Sequence, residues 1–163
     1  MKRIVVGYDG SGGAERALER AAELGRSLHA GLLVVSVAPS ARLADVVSEV
    51  DPAAVPVPAL PGPSGTGAPM PLPVPEEPRP EPRELAMHQL ERARMTLIRL
   101  RAEAEYVAEV GDAAERLLAL AEERDADLIV VGSREHGFLD RLLGRHVDEA
   151  VAARASCDVL LVH

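Results

Sequence analysis

Two glycine-containing segments hold the residues able to do chemistry: "GYDGSGG", Gly7 to Gly13, and "VGSREHG", Val131 to Gly137. Asp9 stands just past an apolar run, where a carboxylate is costly unless something hydrogen-bonds it. A bound ligand's amine or hydroxyl would serve, and so would an Asx-turn onto Gly10 and Ser11. Sequence alone leaves both open. The second segment has the makings of an anion site. Backbone N–H groups and the positive end of the following helix favour phosphate, and Gly132, Gly137 and Gly144 permit close approach. Yet Glu135 sits inside this loop, and Arg145 and His146 stand where the helix begins.

Sharper motifs match only in part. A dinucleotide fingerprint would use Gly10 and Gly12, but Glu15 occupies the place of the third glycine, and "SVAPS" follows the second apolar run where an acidic residue is needed. A hydrolase nucleophile elbow around Ser11 would need glycine at Asp9. "SGGAER" is similar to the pyrophosphate loop of ATP pyrophosphatases, with Glu15 and Arg16 replacing that loop's aspartate and serine. Such an enzyme, acting through the Asp9–Gly13 loop, would also need a second substrate domain. The histidines His29, His88, His136, His146 and His163 are scattered, so no metal-ligand spacing appears. No catalytic dyad or triad is legible, and the expectation is a protein that is not an enzyme.

The elements that must position these loops follow from apolar patterning. "IVVG" from Ile4, "LLVVSV" from Leu32, "LIVVG" from Leu128 and "VLLV" from Val159 are continuous apolar runs, as in strands buried on both faces of a parallel sheet. "AEYVAEV", Ala104 to Val110, alternates and suits an edge strand. Helical spacing marks Ala14 to Leu28, with Ser11 as its cap, then Arg83 to Arg101, Ala113 to Glu123 capped by Asp112, and about Val147 to Ala155. The alternation predicts an α/β fold, one doubly wound five-stranded parallel sheet with right-handed crossovers. In such sheets ligands bind beyond the carboxyl ends of the strands, where strand order reverses. The two glycine segments should face each other there.

Composition narrows the partners. The 163-residue chain suits one domain, and 47% hydrophobic residues supply a core. Aromatics are 2% and the net charge is −8, against both stacking platforms and a phosphate-tracking surface, so nucleic acid is not an expected partner. The lone Cys157 allows no internal disulfide, and no run is long enough to span a membrane, so a cytoplasmic protein is expected. Of the 13 prolines, all but Pro39 lie between Pro52 and Pro82. Residues 51–82 therefore read as a disordered or polyproline-like insert, able to form neither helix nor central strand. It carries PxxP matches such as Pro58 to Pro61, and leaves a strand's carboxyl end where it would hang over the crevice as a flap.

Taken in order, "IVVGYDGSGGAERALERAAELG", "LLVVSV", "VGDAAERLLALAEERDADLIVVGSREHG" and "VDEAVAARASCDVLLVH" resemble the universal stress protein family from end to end, the insert apart. The resemblance implies the adenine nucleotide alpha hydrolase-like sheet of order 3-2-1-4-5 and a homodimer paired through the last strand, here 157–162. It also implies a choice, because one branch of the family binds ATP through a loop of the form G-x-x-G-x(9)-G-S/T and the other lacks it. Residue by residue, Asp9 matches the aspartate that contacts adenine, Val37 a hydrophobic residue beside the base, and Gly132 the first loop glycine, followed by Ser133 and Arg134. Glu135 then stands at the second glycine, Arg145 at the third and His146 at the Ser/Thr position, while Gly144 comes one residue early.

Opposite charges thus replace two glycines flanking one site. One expectation is that Glu135 and Arg145 pair and fill the triphosphate position, leaving a weak pocket for adenine, adenosine or AMP. The alternative is that both point to solvent. The reading that follows is a non-catalytic stress-response protein, a sensor or partner-binding dimer with a degenerate adenine-nucleotide site. Its rival is a true ATP or AMP binder in which Arg145 or His146 replaces the glycine and serine contacts.

Overall fold

The computed structural model describes residues 2–40, 81–133 and 147–163. Its elements run β1 (Arg3–Gly7), α1 (Gly12–Leu28), β2 (Gly31–Ala38), α2 (Pro82–Arg99), β3 (Ala104–Val110), α3 (Ala113–Glu123), β4 (Leu128–Gly132), α4 (Val147–Arg154) and β5 (Asp158–Val162). The five strands form one parallel sheet in the order β3-β2-β1-β4-β5, as the sequence predicts. The alternating strand β3 lies at an edge.

Strand residues point alternately to two helical layers. Ile4 and Val6 of β1, with Leu32 and Val34 of β2, pack under α1 and α2. Val5, Leu33 and Val35 pack under α3 and Val151 of α4. Both faces of β1 are therefore apolar, which explains its continuous run. With so few aromatics, helices approach the sheet through small residues. Ala17, Ala21 and Ala22 of α1 and Ala86 and Ala93 of α2 are fully buried.

Helix ends follow capping chemistry and correct three predicted boundaries. The Ser11 hydroxyl accepts from the Ala14 amide, which starts α1 at Gly12 rather than Ala14. Pro82, placed by sequence inside the structureless insert, is instead the first residue of α2. Its fixed φ and missing N–H suit that position, and Glu81 and Glu84 cap the turn reciprocally. That helix stops at Arg99 rather than Arg101, because Arg101 takes a left-handed φ of 54° to turn the chain into β3. Asp112 caps α3 by accepting from the Glu115 amide, as expected. The rest of the proline-rich insert, with its flap and PxxP readings, lies outside the described residues.

Candidate functional site

The site is built where β1 and β4 end. At the tip of β1 the Tyr8 amide donates to the Val35 carbonyl, extending the β1–β2 ladder by one bond and leaving Asp9 beyond it. The Asp9 carboxylate accepts from the Ser11 amide at 3.0 Å, the Asx-turn weighed from sequence. Gly10 sits within this turn at φ 76°, a conformation suited to glycine.

The two glycine segments do face each other, through backbone. A Cβ on Gly13 would lie 2.7 Å from the Ser133 carbonyl oxygen, and a Cβ on Gly132 would overlap the Gly13 carbonyl and the Ala14 nitrogen. Glycine at both positions thus lets the first turn of α1 rest on the end of β4. This junction brings Asp9, Gly132 and Ser133 to one end of the sheet. Ser133 is buried, and its donors turn toward β5. Its amide donates to the Val162 carbonyl at 2.8 Å, and its hydroxyl lies 3.3 Å from that carbonyl and 2.7 Å from His163 Nδ1. Val37 is half-buried at the end of β2, in register with Glu109, and packs with the α3-side core. Arg134, Glu135, Gly144, Arg145 and His146 lie outside the described residues, and with them the expected Glu135–Arg145 pair.

Sequence reasoning missed a polar hub beneath the Asp9 turn. The Glu15 carboxylate, in the first turn of α1, accepts from the Tyr8 hydroxyl at 2.5 Å and the Thr96 hydroxyl at 3.2 Å. The guanidinium of Arg92 lies 3.9 Å from it and donates to the Gly10 carbonyl at 3.2 Å. Arg99 donates to Thr96, and the buried Ser36 hydroxyl donates to Gln89. Burial, then the bond to Glu15, pushes the Tyr8 hydroxyl's pKa well above its ordinary value. A signal was present: Glu15 broke the glycine fingerprint, and an acid in a helix's first turn has a stabilising dipole partner. No sequence pattern announced Arg92. Among the described residues, no group of three His, Cys, Asp or Glu side chains is placed to hold a metal ion, and no helix is long and apolar enough to cross a membrane.

A family model described as "Universal stress protein family" matches residues 1–59 and 64–163. The chain belongs to the universal stress protein family. A stress response protein, NhaX of Bacillus subtilis, is 31% identical over 166 residues, covering 98% of this chain and 96% of that one. A universal stress protein solved in complex with cAMP is 26% identical at a TM-score of 0.64, covering 99% of this chain and 97% of that one. The universal stress protein of Archaeoglobus fulgidus in complex with dAMP shares the fold at a TM-score of 0.64 and 21% identity, covering 100% of this chain and 98% of that one. The strand order β3-β2-β1-β4-β5 agrees with the order that the family resemblance implies.

Proposed function

We propose that this universal stress protein is a non-catalytic sensor or partner-binding dimer whose site takes an adenosine monophosphate weakly and ATP more weakly still. The observation that carries the reading is the disposition of Ser133. Its amide and hydroxyl turn to β5 at the loop's start, so two donors otherwise suited to phosphate are engaged within the protein. Removing such donors costs a phosphate its charge-assisted bonds, whereas an adenine needs mainly a carboxylate and an apolar wall. Asp9 and Val37 are the residues proposed to supply these. Related structures hold monophosphates, cAMP in one and dAMP in another, which supports a ligand of that size. The carboxylate of Glu135, at the position of the family's second loop glycine, would work in the same direction, since a carboxylate near a phosphate is repulsive.

Calorimetric titration of the purified protein with AMP, cAMP and ATP tests this. Binding of AMP or cAMP at tens of micromolar or weaker, with ATP weaker, is expected. Micromolar ATP binding would overturn the degenerate site and favour the rival in which Arg145 or His146 contacts phosphate. Asp9→Ala should abolish AMP binding.

A further inference from the structure

We infer that Arg92 is a positioning residue for the ligand loop, reaching from α2 to hold the Asp9 turn in its binding geometry; this rests on the Asp9 turn being the nucleotide site. The guanidinium makes two contacts across that turn. It donates to the Gly10 carbonyl at 3.2 Å and lies 3.9 Å from the Glu15 carboxylate. A Cβ on Gly10 would come within 2.9 Å of its Nη1, so the side chain lies directly against the glycine that gives the turn its positive φ. Carbonyl and carboxylate belong to the two ends of the stretch that carries the Ser11 cap. One planar, multi-donor group therefore fixes the turn relative to the helix it starts.

The contact adds little to global stability. Arg92 is 62% exposed at its side chain, and an ion pair at that distance and exposure is weak for the fold. A local effect is different. Asp9 projects from a short turn, and a ligand that bonds its carboxylate must find it already oriented, or spend binding energy on ordering it. Arg92 removes that cost, and it does so from α2, whose sequence neighbour on the amino side is the proline-rich insert. Thr96 and Arg99, one and two turns on from Arg92, continue the same bonded row to Glu15 and make α2 and the turn one unit.

Two measurements test this on the full chain. In ligand-free protein, the Ser11 amide, held by Asp9, should exchange its hydrogen faster in Arg92→Ala than in wild type, with exchange in β1 and β4 unchanged. In calorimetry, Arg92→Ala should weaken AMP binding by about tenfold, and Arg92→Lys should recover part of it because an ammonium still donates to Gly10. Arg20→Ala, which breaks an exposed pair with Glu23 on α1, should leave both readings unchanged. Wild-type protein that binds none of the nucleotides overturns the site assignment, while the Ser11 exchange rate continues to report the tether. Unchanged Ser11 exchange in Arg92→Ala overturns the inference, as does unchanged AMP affinity in a wild type that binds.

Discussion

Glu15 has a place in this molecule that its neighbours alone would not reveal. Its carboxylate is met by a tyrosine from β1, a threonine from α2 and, more loosely, an arginine from α2. Removing the Tyr8 hydroxyl leaves a half-buried carboxylate oxygen short of a donor, so Tyr8→Phe should cost about 1–3 kcal/mol in urea unfolding. A pH signature accompanies it. The Tyr8 pKa is raised in the folded state, so its contribution is complete below the unfolded value of about 10 and is lost as pH rises beyond that. Wild type should lose stability in alkaline titrations above about pH 10 more steeply than Tyr8→Phe; equal slopes would refute the coupling. Gly13 makes a second test at this scale. Gly13→Ala sets a Cβ 2.7 Å from the Ser133 carbonyl oxygen, a backbone atom that cannot swing away. It should lower stability by about 1–3 kcal/mol, measured by denaturant unfolding, and Gly132→Ala should cost more. The sequence showed that glycines cluster here but not that two of them exist for each other, because that contact joins residues more than a hundred positions apart.

Elements were legible to the degree that local rules decide them. Continuous apolar runs named β1, β2 and β4, because two-sided burial leaves no room for polar alternation; the same pattern named β5, though its residues are only half-buried, and the alternation of β3 placed it at an edge. Ser11 and Asp112 were readable as caps for a similar reason: each bonds an amide three residues away. What failed was Pro82. A stretch with so many prolines reads as breaker until its last one is seen at the first turn of a helix, where its missing N–H costs nothing. Equally illegible was α2's far side of the site, since Arg92 and Thr96 meet Glu15 only once the sheet is wound. Ser11→Ala should destabilise the protein by about 1 kcal/mol through the lost cap. Thermal melts would read this, and because Ser11 lies in the Asp9 turn, the same variant should also weaken any ligand held there. The larger loss belongs to α2's buried seam. Leu97 is fully buried under β2 and β3, and Leu97→Ala should cost about 2–5 kcal/mol. A loss below 1 kcal/mol would mean that α2 is not firmly seated on the sheet, and the link from Arg92 to the Asp9 turn would weaken with it.

On the scale of the whole molecule the sheet, among the described residues, has two open edges, β3 and β5, and they differ in character. β3 presents Glu105 and Glu109 among its residues, charges that resist edge-to-edge pairing. β5 presents Val159, Leu160, Leu161 and Val162, all only half-buried, after a single leading Asp158. An apolar strand with no neighbour on one side is a template for another strand, and a two-fold pairing of identical edges closes on itself without leading to a filament. The proposed dimer therefore uses β5 rather than β3. Ser133 gives this choice a consequence for the site. Its amide and hydroxyl bond the Val162 carbonyl at the end of the same strand, so β5 links the proposed partner to the start of the ligand loop. Leu161→Lys should convert the dimer to a monomer in sedimentation velocity at tens of micromolar, since a charge placed in a paired apolar edge must either be buried or separate the strands. Glu109→Lys, on the opposite edge, should leave the dimer intact. If Leu161→Lys remained dimeric while Glu109→Lys did not, the interface would lie on β3, and the connection between pairing and the Ser133 end of the site would fall.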